Sequence, residues 1–374
     1  MTTPRKDQRN LNFRERDIHY ILSRVQSGDC CSVVGVGSVG KSNLLRHLLR
    51  KDVQHLHLGQ EEADALKTVL IDPNNMLDSL PLQLDPHQPS GWAGYEILMH
   101  RLYKSFYPLT GLNDDDKKAF VLAYDQLHNG SNALLPHISL RYLESALEKL
   151  FRQDNPVRRP QKICFVFDEF EEMLTQLPAK FFQALRGIRD DYKYQLTYIT
   201  FTRRSLNHIV EESGGSKLAL EPFVELFTDS THYLGPYSDA DATAMLDRLS
   251  ERQNVNFSPS FRRFLLKSTG GFAGLLRASF RLAAQIPFGT PEDKALQFLA
   301  DSPAIEAECR TIWESLTQDE RVMLIRIVTN QDSSESNSAV RLLLEKQLLK
   351  GQGVVEVNPS LFREFVHRIA AKGS

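Results

Sequence analysis

Cysteine is scarce in this 374-residue chain, with four residues, Cys30, Cys31, Cys164 and Cys309, two of them neighbours and one inside an apolar run. That layout suits neither a disulfide framework nor a zinc site and points to a reducing, cytoplasmic setting. Charge of one sign is lacking too. Lys and Arg number 45 against 47 Asp and Glu, a formal net charge of -2. No global basic excess exists to hold a polyanion by counterion release, so any nucleic-acid contact has to be local. No run of roughly 18 apolar residues is present that could span a bilayer, and Met1–Asn10 lacks the apolar stretch of a secretory signal. No membrane partner is therefore expected. There is no internal repeat, and no low-complexity segment beyond the Ser-rich loop Asp332–Ser338. What remains is an ordinary folded composition, 41% hydrophobic and 25% charged, long enough for two or three cores.

Short apolar runs rich in β-branched and aromatic residues alternate with helix-period segments, which predicts an α/β domain with a parallel sheet. The runs are Ser32–Gly35, Thr68–Asp72, Ile163–Asp168, Leu196–Phe201 and a weaker His232–Leu234. Leu44, Leu45, Leu48 and Leu49 predict an amphipathic helix after the first run, and Leu140, Leu143, Leu147 and Leu150 predict one before the third, closed by a basic turn Asn155–Pro160. Residues 73–137, cut by Pro73, Pro81, Pro86, Pro89 and Pro108, read as an irregular insertion with one helix over Trp92–Tyr107. After Pro236 helices take over to about Ala300, with Ser238 or Asp239 as an N-cap and Gly270-Gly271 as a break. From Ile312 a helix capped by Thr317, a polar loop Asn330–Asn337, a helix Ser338–Lys350, a Gly351–Gly353 turn, a strand Val354–Val357 and a last helix suggest a winged-helix module.

Gly35-Val-Gly37-Ser38-Val39-Gly40-Lys41-Ser42 matches G-x-x-x-x-G-K-[ST], follows an apolar strand and opens an amphipathic helix, the context that motif needs. Its glycines let backbone N–H groups turn around phosphate oxygens, and the helix N-terminus adds a partial positive charge. Lys41 is placed to reach the β- and γ-phosphates of ATP, and the Ser42 hydroxyl to hold Mg²⁺. The strand ending in Asp168-Glu169 supplies two carboxylates, Asp168 for the water shell of Mg²⁺ and Glu169 to polarise the attacking water. Leu196–Phe201 ends in Thr202-Arg203-Arg204, at the sheet edge where ligands of open α/β folds sit. One arginine would contact the γ-phosphate, and the sequence leaves open whether it is Arg203 or Arg204.

This set resembles the P-loop ATPases of the AAA+ and STAND lineage, over nearly the whole chain. Phe13-Arg-Glu-Arg-Asp17-Ile18 is similar to the F-x-G-R-E-x-E-L motif that packs near adenine, without its glycine and with the register of Arg14 against Arg16 open. Phe201-Thr-Arg203 is similar to the STAND sensor strand, and Tyr233-Leu-Gly-Pro236 to the lead-in of its helical lid. Thr269-Gly270-Gly271-Phe272-Ala273 resembles the lid motif G-G-x-P, with Ala273 where proline usually borders the nucleotide. Arg277, one turn on, stands where initiator-type AAA+ proteins carry a sensor arginine. The resemblance implies an N-terminal latch (1–28), a nucleotide-binding domain (29–235, insertion about 73–137), a helical lid (236–300) and a winged-helix domain (301–374). It further implies an ATPase of slow turnover, without fused effector or repeat sensor domains, so that sensing and output are expected in partner chains.

Two functional readings follow. The favoured one is a nucleotide-operated switch or scaffold, self-associating or binding protein partners according to whether ATP or ADP is bound. The alternative is an initiator- or transposition-regulator-like ATPase that grips DNA through the winged helix. Between Thr311 and Ser374 eight basic residues meet eight acidic ones, which disfavours a groove-reading module. Arg341, Lys346 and Lys350 on one helix keep the DNA reading open.

Overall fold

The five apolar runs become the strands of one sheet, β1 (Cys31–Val34), β2 (Leu66–Ile71), β3 (Lys162–Phe167), β4 (Leu196–Thr202) and β5 (Thr231–Tyr233), each within two residues of its expected bounds. Their order is β2-β3-β4-β1-β5. β2, β3 and β4 run parallel, with Ile71, Phe167 and Thr200 in register. β4 is buried at all seven positions and β1 at all four, as central strands covered on both faces must be, whereas the outermost strand β5 is half-buried throughout.

The computed structural model describes residues 9–77, 91–130, 134–152, 161–212, 217–331, 338–351 and 355–373. Pro81, Pro86, Pro89, the turn Asn155–Pro160, residues 332–337 of the polar loop, Gly353 and Val354 lie outside them. The chain divides into two units. The first comprises Met1–Asp17, Val34–His47 and Tyr233–Ser374, and the second Ile18–Val33 and Leu48–His232.

The second unit holds most of the sheet. Its core is aromatic, with Phe165, Phe167, Phe170, Phe181, Phe182, Tyr198, Phe223 and Phe227 fully buried. The segment read as irregular is more regular than expected. Helix Trp92–Phe106 packs on β2, and helices Asp114–Asn129 and Leu135–Phe151 pack on it and on each other. Asp114–Asn129 escaped the sequence reading although its signals are local. The Asn113 side chain accepts from the Asp116 N–H at 2.9 Å, three aspartates fill the first turn, Phe120, Ala123 and Leu127 face inward, and Gly130 ends the helix in the left-handed region. Trp92 Nε1 donates to the Leu127 carbonyl at 2.9 Å, tying two of the helices together.

In the first unit helices predominate: Asp239–Gln253, Pro259–Thr269, Ala273–Ala283, Glu292–Ala300, Pro303–Glu314, Gln318–Val328, Ser338–Glu345 and Ser360–Gly373. Between the last two, β6 (Leu349–Lys350) pairs antiparallel with β7 (Glu356–Val357). Ser238 is the N-cap, accepting from the Asp241 N–H at 3.1 Å. Thr317 forms a capping box with Glu320. Helix Glu292–Ala300 completes the helical stretch expected to about Ala300: Pro291 opens it, two acids fill its first turn, and Ala295 and Leu299 are buried. Lys346 departs from expectation. It is buried in an ion pair with Glu320, itself fully buried, and so leaves the basic surface expected of Arg341, Lys346 and Lys350. All four cysteines are free and buried. Burial pushes the Cys31, Cys164 and Cys309 thiols up to about 12. No helix among the described residues is long and apolar enough to cross a membrane.

Candidate functional site

The loop Gly35–Gly40 leaves β1 and enters helix Lys41–Leu48. Two of its residues have left-handed backbone, Ser38 (φ 61°) and Gly40 (φ 98°). At Gly40 a side chain is excluded twice over, since a Cβ there would lie 3.0 Å from the ring of Tyr237. Lys41 turns back on its own loop, Nζ donating to the carbonyls of Gly35 and Val36. Val39 is buried, and Ser42 presents its hydroxyl at the exposed first turn of the helix. The loop thus ends at a helix N-terminus, a kind of place where anions are often bound.

Four elements distant in sequence hold that loop. Arg14, buried and in left-handed backbone (φ 51°), donates to the carbonyls of Val39 at 2.8 Å and Gly235 at 2.9 Å. Its guanidinium lies 4.8 Å from the centre of the Tyr237 ring and pairs with Asp17 at 2.8 Å. Arg16 is exposed, so of the two arginines it is Arg14 that meets the loop. Pro236 is half-buried between Gly235 and Tyr237, and it is Tyr237 that meets the loop helix, its hydroxyl accepting from Asn43 Nδ2 at 2.7 Å. Beside them a cavity of about 140 Å³ is lined by Arg9, Asn43, Tyr237, Arg248, Arg252 and Arg277. The structure thus brings Arg277 next to the loop helix, among three other arginines.

The third element was not legible in the sequence. Helix Pro303–Glu314 lies against the loop. The Gly37 N–H donates to Ser315 Oγ at 2.8 Å, and the Ser38 hydroxyl donates to the Glu308 carboxylate. The Gly274 N–H donates to the Ser38 carbonyl at 2.9 Å. A Cβ on Gly37 would collide with the backbone of Thr311, so the missing side chain admits a helix of the chain itself. A backbone donor and a hydroxyl of the phosphate-type loop are engaged by groups of this protein, one of them an anion.

In the second unit the acidic pair follows β3. The Asp168 N–H donates to the Ile71 carbonyl at 2.9 Å, continuing the sheet, and Asp168 Oδ1 accepts from the Glu169 N–H at 3.1 Å. Glu169 is in left-handed backbone (φ 43°), unusual for this residue type. Its carboxylate accepts from Asn74 Nδ2 at 3.1 Å, and Asn74 is itself tied to Asp72 at the end of β2. Arg203 lies 3.8 Å from both Glu169 and Glu171, and its N–H donates to Glu171 at 3.2 Å. Arg204 turns away to Glu212. Thr202, at the end of β4, is fully buried with its hydroxyl unpartnered, a polar group of the kind that a ligand or an ordered water satisfies. The sequence singled out the carboxylates and arginines. It gave no hint of Asn74, which holds Glu169 from 95 residues away.

Comparison with known proteins adds the following. Residues 144–295 match the family described as Novel STAND NTPase 2. Among solved structures, the Walker-type ATPase of Pyrococcus abyssi superposes with a TM-score of 0.51 at 13% identity, covering 96% of this chain and 99% of that one. The ORC2 protein of Aeropyrum pernix, solved as ADPNP–ADP complexes, gives 0.48 at 13% identity, covering 100% and 97%. The Holliday-junction branch-migration motor RuvB of Thermotoga maritima gives 0.39 at 10% identity, covering 94% of each. Curated proteins give no match. With a G-x-x-x-x-G-K-S loop after β1, an acidic pair after β3 and this sheet order, the chain has the fold of a P-loop ATPase.

Proposed function

We propose that the protein is an ATP-binding and ATP-hydrolysing switch, whose ATP and ADP states present different surfaces to a second copy or to protein partners that supply sensing or output. One observation carries this reading: Ser315 and Glu308 engage the loop through groups that phosphate oxygens would take. Phosphate binding and this placement of helix Pro303–Glu314 compete, so nucleotide gains a differential grip on two arrangements of the C-terminal helices, which is what a switch requires.

In this reading the N–H groups of Gly35, Gly37, Ser38, Val39 and Gly40 cradle the phosphates, and Lys41 swings from its own loop carbonyls to the β- and γ-phosphates. Ser42 and Asp168 are hard oxygen donors of the kind Mg²⁺ takes. When bound, that ion would neutralise charge on the phosphate oxygens. Glu169 accepts the hydrogen bond of the attacking water, and Arg203 leaves Glu169 and Glu171 for the γ-phosphate. Pro236 and Arg277 border the nucleotide. The orphaned Thr202 hydroxyl and the arginine-lined cavity fit an anionic ligand. Buried thiols suit a reducing cytoplasm.

Calorimetric titration with ATP tests the first step. Lys41→Ala removes the loop's flexible cation, and affinity should fall by about 10²-fold, the scale of a lost charge-assisted contact. Equal affinity in variant and parent would remove the loop from the function. Exchange of ADP for a non-hydrolysable ATP analogue should change protease cleavage around residues 287–314 and the elution volume in size-exclusion chromatography. The DNA-gripping alternative is weaker, because burial of Lys346 leaves Arg341 and Lys350 as the exposed cations of that segment. DNA binding is expected to vanish by moderate salt. A salt-resistant complex abolished by Arg341→Ala would reverse the preference.

A further inference from the structure

Two adjacent helices of the second unit carry a cluster that the ATPase reading does not use. Glu96 and His100 are four residues apart on helix Trp92–Phe106 and so share a face, and His128 comes from the neighbouring helix Asp114–Asn129. One donor atom from each lies within 4.8 Å of the other two. We propose that Glu96, His100 and His128 form a binding site for a divalent transition ion, zinc by donor type, with a position left open to solvent.

The chemistry of the three side chains supports this. Two imidazoles and a carboxylate form the N₂O donor set that zinc accepts with three protein ligands and an open fourth position. The Glu96 side chain is 4% exposed and the His128 side chain 46% exposed, so the cluster has a closed floor and an open mouth. Glu96 Oε1 and His128 Nδ1 are 2.6 Å apart. His100 Nδ1 lies 3.0 Å from the Tyr124 hydroxyl, which fixes that ring through one nitrogen and leaves Nε2 for a metal, the arrangement typical of ligating histidines. Stacking restrains the rings further: Tyr103 on Tyr124 at 4.4 Å, Tyr124 on His128 at 5.1 Å, and His128 on His100 at 5.4 Å.

Binding is a ligand exchange without redox change. Zinc gives up water ligands as the three side chains take their places. Metal–ligand bonds of about 2.0–2.1 Å in tetrahedral geometry set the donors roughly 3.3 Å apart, so the Glu96–His128 pair opens from 2.6 Å while the wider separations, up to 4.8 Å, close. That movement is within reach of the exposed His128 side chain.

Titration of tag-free full-length protein with zinc chloride against a chromophoric chelator provides the test. One equivalent should bind at micromolar dissociation constant or tighter, with a rise in the second unit's melting temperature. X-ray absorption should show a shell of nitrogen and oxygen without sulfur. His128→Ala, at an exposed position, should weaken that equivalent at least tenfold while leaving ATP affinity at the parental value, and His100→Ala should do the same. Absence of a stoichiometric zinc ion, or one that persists unchanged in both variants, overturns the proposal and leaves the Glu96–His128 contact as a plain ion pair.

Discussion

The two units hold their chemistry-bearing residues in opposite ways. In the first, the loop is fastened by short bonds from far along the chain: Arg14 to Val39, Ser315 to Gly37, Glu308 to Ser38. In the second, Glu169 sits in a half-exposed web with Arg203 at 3.8 Å and Asn74 at 3.1 Å. Partly exposed ion pairs of such length contribute about 0–1 kcal/mol. Buried, well-aligned bonds cost more to break. The acidic cluster can therefore rearrange at little cost, whereas moving the helix that covers the loop costs more. If the protein switches as proposed, the free-energy difference between its states would reside mainly in the first unit.

The largest expected effect follows from the contrast between buried and exposed charge. Lys346 and Glu320 are 3% and 0% exposed, and removing one partner strands the other. Lys346→Ala should destabilise the first unit by about 3–5 kcal/mol, the scale of a broken buried pair, measured by denaturant unfolding. Arg203→Ala, breaking the exposed web, should cost under about 1 kcal/mol. Equal losses would erase the distinction between the units.

Next in size is a kinetic effect. Glu169→Gln keeps the volume and the Asn74 contact but removes the base, so turnover should slow by about 10²-fold with ATP binding retained. A parental rate would assign the water to another group. Glu308→Gln acts in the other direction and in the other unit. It removes the anion held at the loop, and ATP should bind roughly tenfold tighter, about 1.4 kcal/mol. Unchanged affinity by calorimetry would mean that the helix over the loop does not compete with phosphate.

The difference between the units also explains what could be read from sequence. Strands β1, β3 and β4 were legible because burial on both faces leaves an apolar run with a chemical group at its end: Gly35, Asp168, Thr202. Ser238 and Thr317 were legible as caps because a cap is satisfied within three residues. Contacts across hundreds of residues leave no such trace. Glu308 and Ser315 look like ordinary helix-surface residues, and only the folded chain shows them on Ser38 and Gly37. Lys346 was misread because a lysine beside Arg341 and Lys350 has the spacing of an exposed face, and its partner Glu320 is already explained by the capping box. The same residue does both jobs, its two carboxylate oxygens serving Thr317 and Lys346 separately.

The smallest effect offers a way to assign unfolding to each unit. Ser238 caps helix Asp239–Gln253 in the first unit, and Asn113 caps Asp114–Asn129 in the second. Replacing either with alanine leaves N–H groups of a first turn without their acceptor and should cost about 1 kcal/mol. The chain has two tryptophans, Trp313 in the first unit and Trp92 in the second. Fluorotryptophan labelling therefore gives one ¹⁹F resonance per unit. Ser238→Ala should shift the midpoint at Trp313, and Asn113→Ala that at Trp92. Ser238 differs in one respect, because Asp241, which its hydroxyl also reaches at 2.9 Å, accepts from the Arg14 N–H at 3.3 Å. Ser238→Ala should therefore change ATP affinity slightly, by less than about threefold (0.65 kcal/mol), and Ser238→Asp should restore stability. A shift of both resonances by either variant would show that the units unfold as one cooperative body.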